Sequence, residues 1–340
     1  MNIQYGMEKA YPAEDVTEWP ARAIFLGNFM PNFRKQHILT ADQLTKKNIE
    51  DIFAKARELE PLNKPGQISG LLKGRVVALL FYEPSTRTRF SFESAAKILG
   101  AWVLSTESAG VFSSAAKGET LEDTIRVVNG YSDLIVIRHP EIGSAKRAAA
   151  VSEIPIINAG DGAGSHPTQS LLDLYTIEKE LGKIDGVSVG LVGDLLYGRA
   201  ARSLCGILTR FKNIKFYFVS PSSLNMRGDV KKVLKRKKIK FVETVDLESV
   251  LNKVDVLYMT RVQKERFENE EDYLKVKGVY VLKMSHLKKM KKHAIVMHPL
   301  PRVDEIDYEV DKDRRAAYFR QAKNGVAVRM ALLARVLGEG

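Results

Sequence analysis

The sequence predicts an α/β protein of two domains, each a mostly parallel sheet flanked by helices, with the ligand site in the interdomain crevice. Three observations support this fold class. Short β-rich runs alternate with segments of helical periodicity, polar residues follow the ends of those runs, and 340 residues suffice for two domains. Since 45% of the residues are hydrophobic and 28% are charged, both domains can form a core.

Seven runs have the length and composition of strands in a parallel sheet. In chain order they cover residues 75–82, 133–138, 154–158, 187–194, 215–220, 255–260 and 294–299. A Gly-rich stretch over 158–170 lies between the third run and the fourth, and a helix-like segment after it ends at Gly182, a plausible C-cap. These features predict the boundary between the two domains.

The sequence also predicts a division of the chain into four segments. They are an N-terminal extension without strong periodicity over 1–34, a first domain over 35–165, a second domain over 166–325, and a C-terminal helix over 326–340 that packs back on the first domain. No internal repeat or low-complexity tract interrupts them.

The net charge of +12 suits acidic small molecules, nucleic acid or an anionic membrane surface. The lysine-rich runs 231–240 and 286–294 alternate with apolar residues and hold no aromatic side chain, which is typical of solvated faces. No window approaches the roughly 20 apolar residues of a membrane span. The single cysteine, Cys205, excludes an internal disulfide. We expect a cytoplasmic protein with no nucleic-acid or membrane partner.

The stretch FYEPSTRTRFSFE at 81–93 predicts an anion site. Apolar residues recur at helical spacing behind it until Gly100, so Ser85, Thr86, Arg87 and Thr88 occupy a helix N-terminus. Free backbone N–H groups and the helix dipole favour an anion there, and the hydroxyl and guanidinium donors add to this preference. The alternative is a plain N-cap with solvated arginines.

Arginines also follow other predicted strands: Arg138, Arg199 and Arg261. Together they predict a site for a ligand with several negative charges, although any one of them could form a structural ion pair. The segment GLVGD suggests a dinucleotide site, but the third glycine of that fingerprint is missing and Arg199 lies where a pyrophosphate would need room.

Six ordered motifs resemble the aspartate carbamoyltransferase family, catalytic chain, from about residue 35 to the C-terminus. They are STRTR (85–89), RHP (138–140), HPTQ (166–169), GDLLYGR (193–199), MTRVQKER (259–266) and HPLPRVDEI (298–306). The sister ornithine carbamoyltransferases share the first and third elements but carry a cysteine where this chain has Pro299.

The resemblance implies transfer of the carbamoyl group of carbamoyl phosphate to the amino group of L-aspartate, the second step of de novo pyrimidine biosynthesis. No cofactor or metal is expected. The first domain would bind carbamoyl phosphate and the second aspartate. Two alternatives remain open: carbamoyl transfer to ornithine or another amine, and a basic nucleic-acid-binding protein without catalysis.

The resemblance also assigns residues to carbamoyl phosphate. The phosphate would lie on Ser85, Thr86, Arg87 and Thr88, the carbonyl oxygen near Thr88, Arg138 and His166, and the amide on Gln169. In this family a loop of the neighbouring chain completes the site, and its matching residues here are Ser113 and Lys117. Thr88, Arg138, His166 and Lys117 are the expected catalytic residues. We therefore expect a homotrimer with shared active sites.

The remaining assignments concern aspartate and domain closure. Arg199, Arg261 and Gln263 would hold the aspartate carboxylates, the backbone around Leu300 and Pro301 would accept from the two nitrogens, and Glu83, Glu265 and Arg266 would form ion pairs between closed domains. Regulatory or other pathway chains as further partners are left open by the sequence.

Overall fold

The computed structural model describes residues 33–64, 66–108, 118–264, 267 and 269–338. The first sheet contains β1 (Val76–Phe81), β2 (Trp102–Glu107), β3 (Leu134–His139) and β4 (Ile156–Asp161). Its strand order is β2-β1-β3-β4, and all neighbours are parallel. Parallel order requires a crossover between successive strands, and helices supply it here.

The second sheet contains β5 (Ser188–Val192), β6 (Lys215–Val219), β7 (Lys240–Thr244), β8 (Val256–Met259) and β9 (Ile295–Met297). Its order is β7-β6-β5-β8-β9, again with parallel neighbours. The order reverses at β5, which pairs with both β6 and β8. The predicted class of two parallel-sheet α/β domains is confirmed.

Helices flank both sheets. In chain order they are α1 (Lys46–Leu59), α2 (Thr86–Ile98), α3 (Leu121–Asn129), α4 (Ser144–Val151), α5 (Pro167–Leu181), α6 (Arg199–Leu208), α7 (Gly228–Arg236), α8 (Glu248–Leu251), α9 (Glu270–Val276), α10 (Met284–Lys289) and α11 (Tyr318–Leu337). In the described ranges, no helix combines the length and the apolar character needed to cross a bilayer.

Two buried helices connect the sheets. Helix α5 ends at Gly182, whose left-handed φ of 71° confirms the predicted C-cap. Helix α11 begins at Tyr318, before the predicted start at residue 326, and packs against α1, α2 and α5. Most of its side chains are buried, including Met330 and Leu333. The division at residues 165 and 325 stays a prediction.

Two strands, β2 and β7, were absent from the prediction. Each lies at the edge of its sheet and exposes much of its surface, with Trp102 and Val242 as examples of exposed side chains. Strands buried on both faces read as continuous apolar runs, whereas these edge strands mix polar and apolar residues. The seven predicted strands include every interior strand of both sheets.

Candidate active site

At the N-terminus of α2, the side chain of the N-cap residue does not cap the helix. Ser85 is the N-cap residue, but its side chain makes no capping hydrogen bond. Thr86 and Arg87 are exposed, while Thr88 is buried. The unpaired N–H groups of a first helical turn attract anions. Hydroxyl, guanidinium and backbone donors are therefore together at this helix end, as the anion-site prediction requires.

The second arginine of the stretch, Arg89, has a structural role. Its guanidinium lies 3.1 Å from Glu107 Oε2 and donates to Ser105 Oγ at 3.2 Å. The other oxygen of Glu107 accepts from the backbone N–H of Ser85 at 3.3 Å. The end of β2 thus fixes the turn before α2, and Arg87 is the cation that faces solvent.

Arg138 lies at the end of β3, and its guanidinium is buried. Nη2 is 3.0 Å from Glu83 Oε2, and Nη1 donates to the Ala159 carbonyl at 3.3 Å. Burial, followed by the neighbouring positive charge of Arg199, lowers the pKa of Arg138 to about 10. The guanidinium still carries its charge at neutral pH, and a nearby anion would stabilise it.

Gly160 in β4 is the point at which the two domains' arginines meet. Its φ of 123° excludes most side chains, and a Cβ there would lie 3.0 Å from Arg138 Nη1 and 3.3 Å from Arg199 Nη2. Only glycine lets both guanidinium groups approach the backbone so closely. The first sheet and the second therefore each contribute one cation to the same place.

His166 is the N-cap residue of α5 and is buried. Its Nδ1 has no hydrogen-bond partner within the described part of the chain. Burial, and then the charges of Arg199, Arg138 and Arg329, hold the pKa of His166 well below its ordinary value. The imidazole is therefore neutral at physiological pH, and one of its ring nitrogens is a donor.

Helix α6 fastens the second sheet to the loop after β4. Arg199, its first residue, donates through Nη1 to the Gly162 carbonyl. Arg202, one turn later and buried, donates to the carbonyls of Ala163 and Leu196 at 2.7 Å each. Two arginines of one helix therefore fix the chain that leads to His166.

Arg261 and Gln263 follow β8 directly and are half-buried. The end of β8 is held against β5, because Thr260 donates from its backbone N and from Oγ1 to the Val192 carbonyl at 2.8 Å each. At Gly193, with a φ of 111°, any side chain would collide with the Thr260 carbonyl. The segment that carries Arg261 is thus fixed beside the end of β5.

Leu300 lies in a turn held by a buried pair. Its φ of 55° is unusual for a leucine, and its peptide bond to Pro301 is cis. The Leu300 N–H donates to His298 Nδ1 at 2.8 Å, so the ring proton is on Nε2, which lies 2.6 Å from Glu305 Oε1. His298 and Glu305 therefore fix the backbone that was predicted to accept from the substrate nitrogens.

Sequence reasoning missed the residue that binds Gln169. Gln169 Nε2 donates to Asp173 Oδ1 at 2.8 Å, one turn along α5, and Asp173 is fully buried. A signal was present, since Asp173 interrupts the apolar segment LLDLY at a position where the helix is buried. A buried carboxylate is retained only where donors satisfy it.

Four predicted residues, Ser113, Lys117, Glu265 and Arg266, lie outside the described residues. The shared loop and part of the closure set therefore stay predictions. Glu83 is described, and it pairs with Arg138. Its role in domain closure also stays a prediction.

Two family models together match most of the chain. One, described as the aspartate/ornithine carbamoyltransferase carbamoyl-P binding domain, matches residues 36–179. The other, described as the Asp/Orn binding domain of the same family, matches residues 185–336. The first match includes nearly all of α5, and the second starts just before β5.

Similar proteins match over nearly the same length. An aspartate carbamoyltransferase of Pisum sativum, named chloroplastic, is 55% identical over 302 residues, which cover 88% of this chain and 78% of the relative. The catalytic subunit of Methanocaldococcus jannaschii is 49% identical over 302 residues, covering 89% and 98%. A Trypanosoma cruzi structure with carbamoyl phosphate and aspartate is 40% identical, with a TM-score of 0.85 and coverage of 90% and 98%.

Proposed function

The chain belongs to the aspartate/ornithine carbamoyltransferase family, and from that premise we infer its reaction. It transfers the carbamoyl group of carbamoyl phosphate to the amino group of L-aspartate, giving N-carbamoyl-L-aspartate and phosphate. The observation that carries this function is the meeting of Arg138 and Arg199 at Gly160. One cation from each sheet is suited to two anionic substrates that must react with each other.

The acceptor follows from the relatives and from the second sheet. The relatives at 49% identity and at 55% identity are both aspartate carbamoyltransferases. Aspartate needs cations for two carboxylates, and the segment after β8 supplies Arg261 with Gln263. Ornithine would need an acidic or thiol group for its side-chain ammonium, and the segment MTRVQ contains none.

Carbamoyl phosphate is assigned to the first sheet. Its phosphate binds at the α2 N-terminus, on Ser85, Thr86, Arg87 and Thr88, because hydroxyl, guanidinium and backbone donors converge there. The Gln169 amide takes the carbamoyl nitrogen. Gln169 Nε2 donates to the side chain of Asp173, so the Gln169 side-chain oxygen is the atom that accepts from the carbamoyl NH2 group.

The chemical step needs stabilisation of the charge that develops on the carbonyl oxygen when the amine attacks. Thr88, Arg138 and neutral His166 are the donors proposed for this oxygen. Aspartate binds through Arg199, Arg261 and Gln263, while the backbone at Leu300 and Pro301 accepts from the two nitrogens. Phosphate leaves directly, without a covalent enzyme intermediate, and can itself accept the amine proton.

The working enzyme is proposed to be a homotrimer in which Ser113 and Lys117 complete the neighbouring chain's site. Two observations support association through the edge of the first sheet. Among the strands of the described residues, β2 pairs on one side only, and Trp102 and Leu104 on it are 73% and 48% exposed. Ser113 and Lys117 come soon after β2 in the sequence.

The cellular compartment and the metabolic pathway of the enzyme are also proposals. We propose that the enzyme works in the cytoplasm, where its single, buried Cys205 stays reduced, and that it acts in pyrimidine biosynthesis. The plant relatives are named chloroplastic, so fractionation of cells with an antibody to the native chain is the direct test. Enzyme in an organelle fraction would contradict the cytoplasmic assignment.

The reaction is tested by supplying carbamoyl phosphate with either aspartate or ornithine and identifying the product by mass spectrometry. We expect N-carbamoyl-L-aspartate in stoichiometry with phosphate, and no citrulline above the rate without enzyme. A preference for ornithine, or phosphate release without carbamoyl transfer, would refute the proposal. The mass of the assayed protein in solution should equal three chains.

A further inference from the structure

Asp173 is the centre of a buried polar network that the proposed chemistry does not use. Its side chain is fully buried in α5. It accepts hydrogen bonds from Gln169 Nε2 at 2.8 Å, Gln321 Nε2 at 2.6 Å and Tyr258 Oη at 2.7 Å. Oδ1 accepts from both glutamines and the other oxygen accepts from Tyr258, and the ionised carboxyl group, which has only acceptor sites, satisfies all three donors at once.

The three donors come from different parts of the molecule. Gln169 is on α5, Gln321 is on α11, and Tyr258 is on β8 of the second sheet. Gln321 continues the network, because its Oε1 accepts from the backbone N–H of His298 at 2.9 Å. That backbone leads directly into the turn at Leu300. One carboxylate therefore connects Gln169 with the Leu300 turn.

The network also fixes which way each amide points. Gln321 uses its nitrogen on Asp173 and its oxygen on His298, so its orientation is determined at both ends. Gln169 uses its nitrogen on Asp173, which leaves its oxygen as the acceptor. A carbamoyl NH2 group has only donors to offer, so this orientation is the one that binds it.

We propose that Asp173 is a positioning residue for carbamoyl recognition: it orients the Gln169 amide and, through Gln321, fixes the backbone before Leu300. This role rests on the proposed function, in which both elements contact the transferred group. Asp173 itself touches no substrate. Both glutamine amides donate to the same oxygen, Oδ1, so the substitution Asp173→Leu would leave Gln169 and Gln321 without the acceptor that orients them.

The ionisation of Asp173 supports the same role. Burial raises the pKa of Asp173 to about 7, against the hydrogen bonds from Tyr258, Gln321 and Gln169 and the charge of Arg329 on α11, which all lower it. Protonation below that pKa removes the negative charge that strengthens the hydrogen bonds from Tyr258, Gln321 and Gln169, and so weakens the network. Carbamoyl transfer should therefore rise with pH through about 7.

Two probes separate positioning from a general loss of structure. Inorganic phosphate binds only at the N-terminus of α2. Phosphonoacetamide also carries an amide group, whose NH2 must hydrogen-bond to Gln169. For Asp173→Leu we expect at least tenfold weaker phosphonoacetamide binding by calorimetry, with phosphate binding within twofold of the wild type. Equal weakening of both probes, or weakening of neither, would overturn the proposal.

The matched control is Thr176→Val. Thr176 accepts from Asn324 at 3.0 Å and so makes the next polar contact between α5 and α11, one turn away and without a link to Gln169. We expect this variant to bind both probes as the wild type does. A Thr176→Val variant with the same selective loss of phosphonoacetamide would show that helix packing, and not Asp173, sets the recognition.

Tyr258→Phe provides a second variant should Asp173→Leu fail to fold. Removing the phenol donor destabilises the ionised carboxyl group, so the acid limb of kcat/KM should move upward by half a pH unit or more. An unmoved limb would reject the role of Asp173. The binding assays need no turnover. If the Asp173 variant loses phosphonoacetamide binding selectively but the wild type does not carbamoylate aspartate, only the proposed function is refuted.

Discussion

At the scale of single residues, the site concentrates positive charge where little solvent reaches it. Arg138 and Arg199 approach the same backbone position, and burial followed by their mutual repulsion lowers the pKa of Arg138 to about 10. Two guanidinium groups stay this close only if other contacts hold them in place, and the ion pair with Glu83 does this for Arg138. An anionic substrate relieves it, and this favours binding of charged ligands.

The low pKa of His166 predicts a pH dependence of stability. A histidine titrating near 6.5 when unfolded takes up a proton on acidification, whereas the buried, neutral His166 does not. The unfolded state is therefore favoured as the pH falls below 6.5. Between pH 7.5 and 5.5, we expect His166 to account for a loss of about 1.4 kcal/mol in unfolding free energy.

Urea unfolding of the wild type and His166→Gln at these two pH values measures this contribution. The variant should lose about 1.4 kcal/mol less than the wild type on acidification, since its side chain does not titrate. Equal losses in the two proteins would mean that His166 titrates normally in the fold. In that case its proposed state as a neutral donor would be wrong.

At the scale of helices and strands, the sequence predicted those elements whose formation is determined by residues close together in the chain. The α2 site follows from a strand, a Ser85 cap and a helix in direct succession, and the structure has this order. Interior strands were found because both faces are apolar. Edge strands β2 and β7 were missed because their pairing, and not their composition, makes them strands.

The Asp173 network was missed for a related reason. Gln321 lies 148 residues from Asp173 in the chain, and Tyr258 lies 85 residues away. Hydrogen bonds between such distant residues depend on how α5, α11 and β8 pack, which periodicity does not reveal. The arginines at strand ends were predictable, whereas their meeting at Gly160 required the arrangement of the two sheets.

The attachment of α6 to the loop after β4 yields a second prediction. Arg202→Met leaves the carbonyls of Ala163 and Leu196 without this buried donor, at a cost of about 1–3 kcal/mol each. Because the same loop carries the Gly162 carbonyl that binds Arg199, we expect KM for aspartate to rise about tenfold or more. Steady-state kinetics and urea unfolding measure the two effects.

Arg210→Met is the control. Arg210 lies just after the end of α6 and also donates to backbone carbonyls, those of Leu44 and Gly206, but none of its hydrogen bonds in the described part of the chain reaches the loop after β4. It should cost stability while leaving KM for aspartate within twofold of the wild type. If both variants raise KM equally, Arg202 contributes to general stability and not to the aspartate site.

At the scale of the whole molecule, each sheet supplies residues to one site, and in the proposed trimer a neighbouring chain supplies the rest. The exposed β2 edge and its apolar side chains provide a surface for a neighbouring chain. If chains associate there, each site receives Arg138 from one chain and Lys117 from the next. Activity then depends on the assembly as much as on the fold.

Mixed trimers test this sharing. Lys117→Gln and Arg138→Ala chains should each be nearly inactive alone, yet regain activity when dissociated and reassembled together. A cyclic trimer holding both kinds of chain has one site with both residues native, or about one third of the full activity. If mass measurement shows mixed trimers that have no activity, Lys117 does not serve the neighbouring chain.

The central claim is that strand ends of both sheets form a single site that joins carbamoyl phosphate to aspartate. A ligand that spans both halves tests it, and N-(phosphonacetyl)-L-aspartic acid, held by the Trypanosoma cruzi relative, has the required anionic ends. By calorimetry, Arg87→Ala and Arg261→Ala should each weaken its binding by about 100-fold, while inorganic phosphate loses affinity only in Arg87→Ala. Undiminished binding of the spanning ligand to Arg261→Ala would contradict a site built from both sheets.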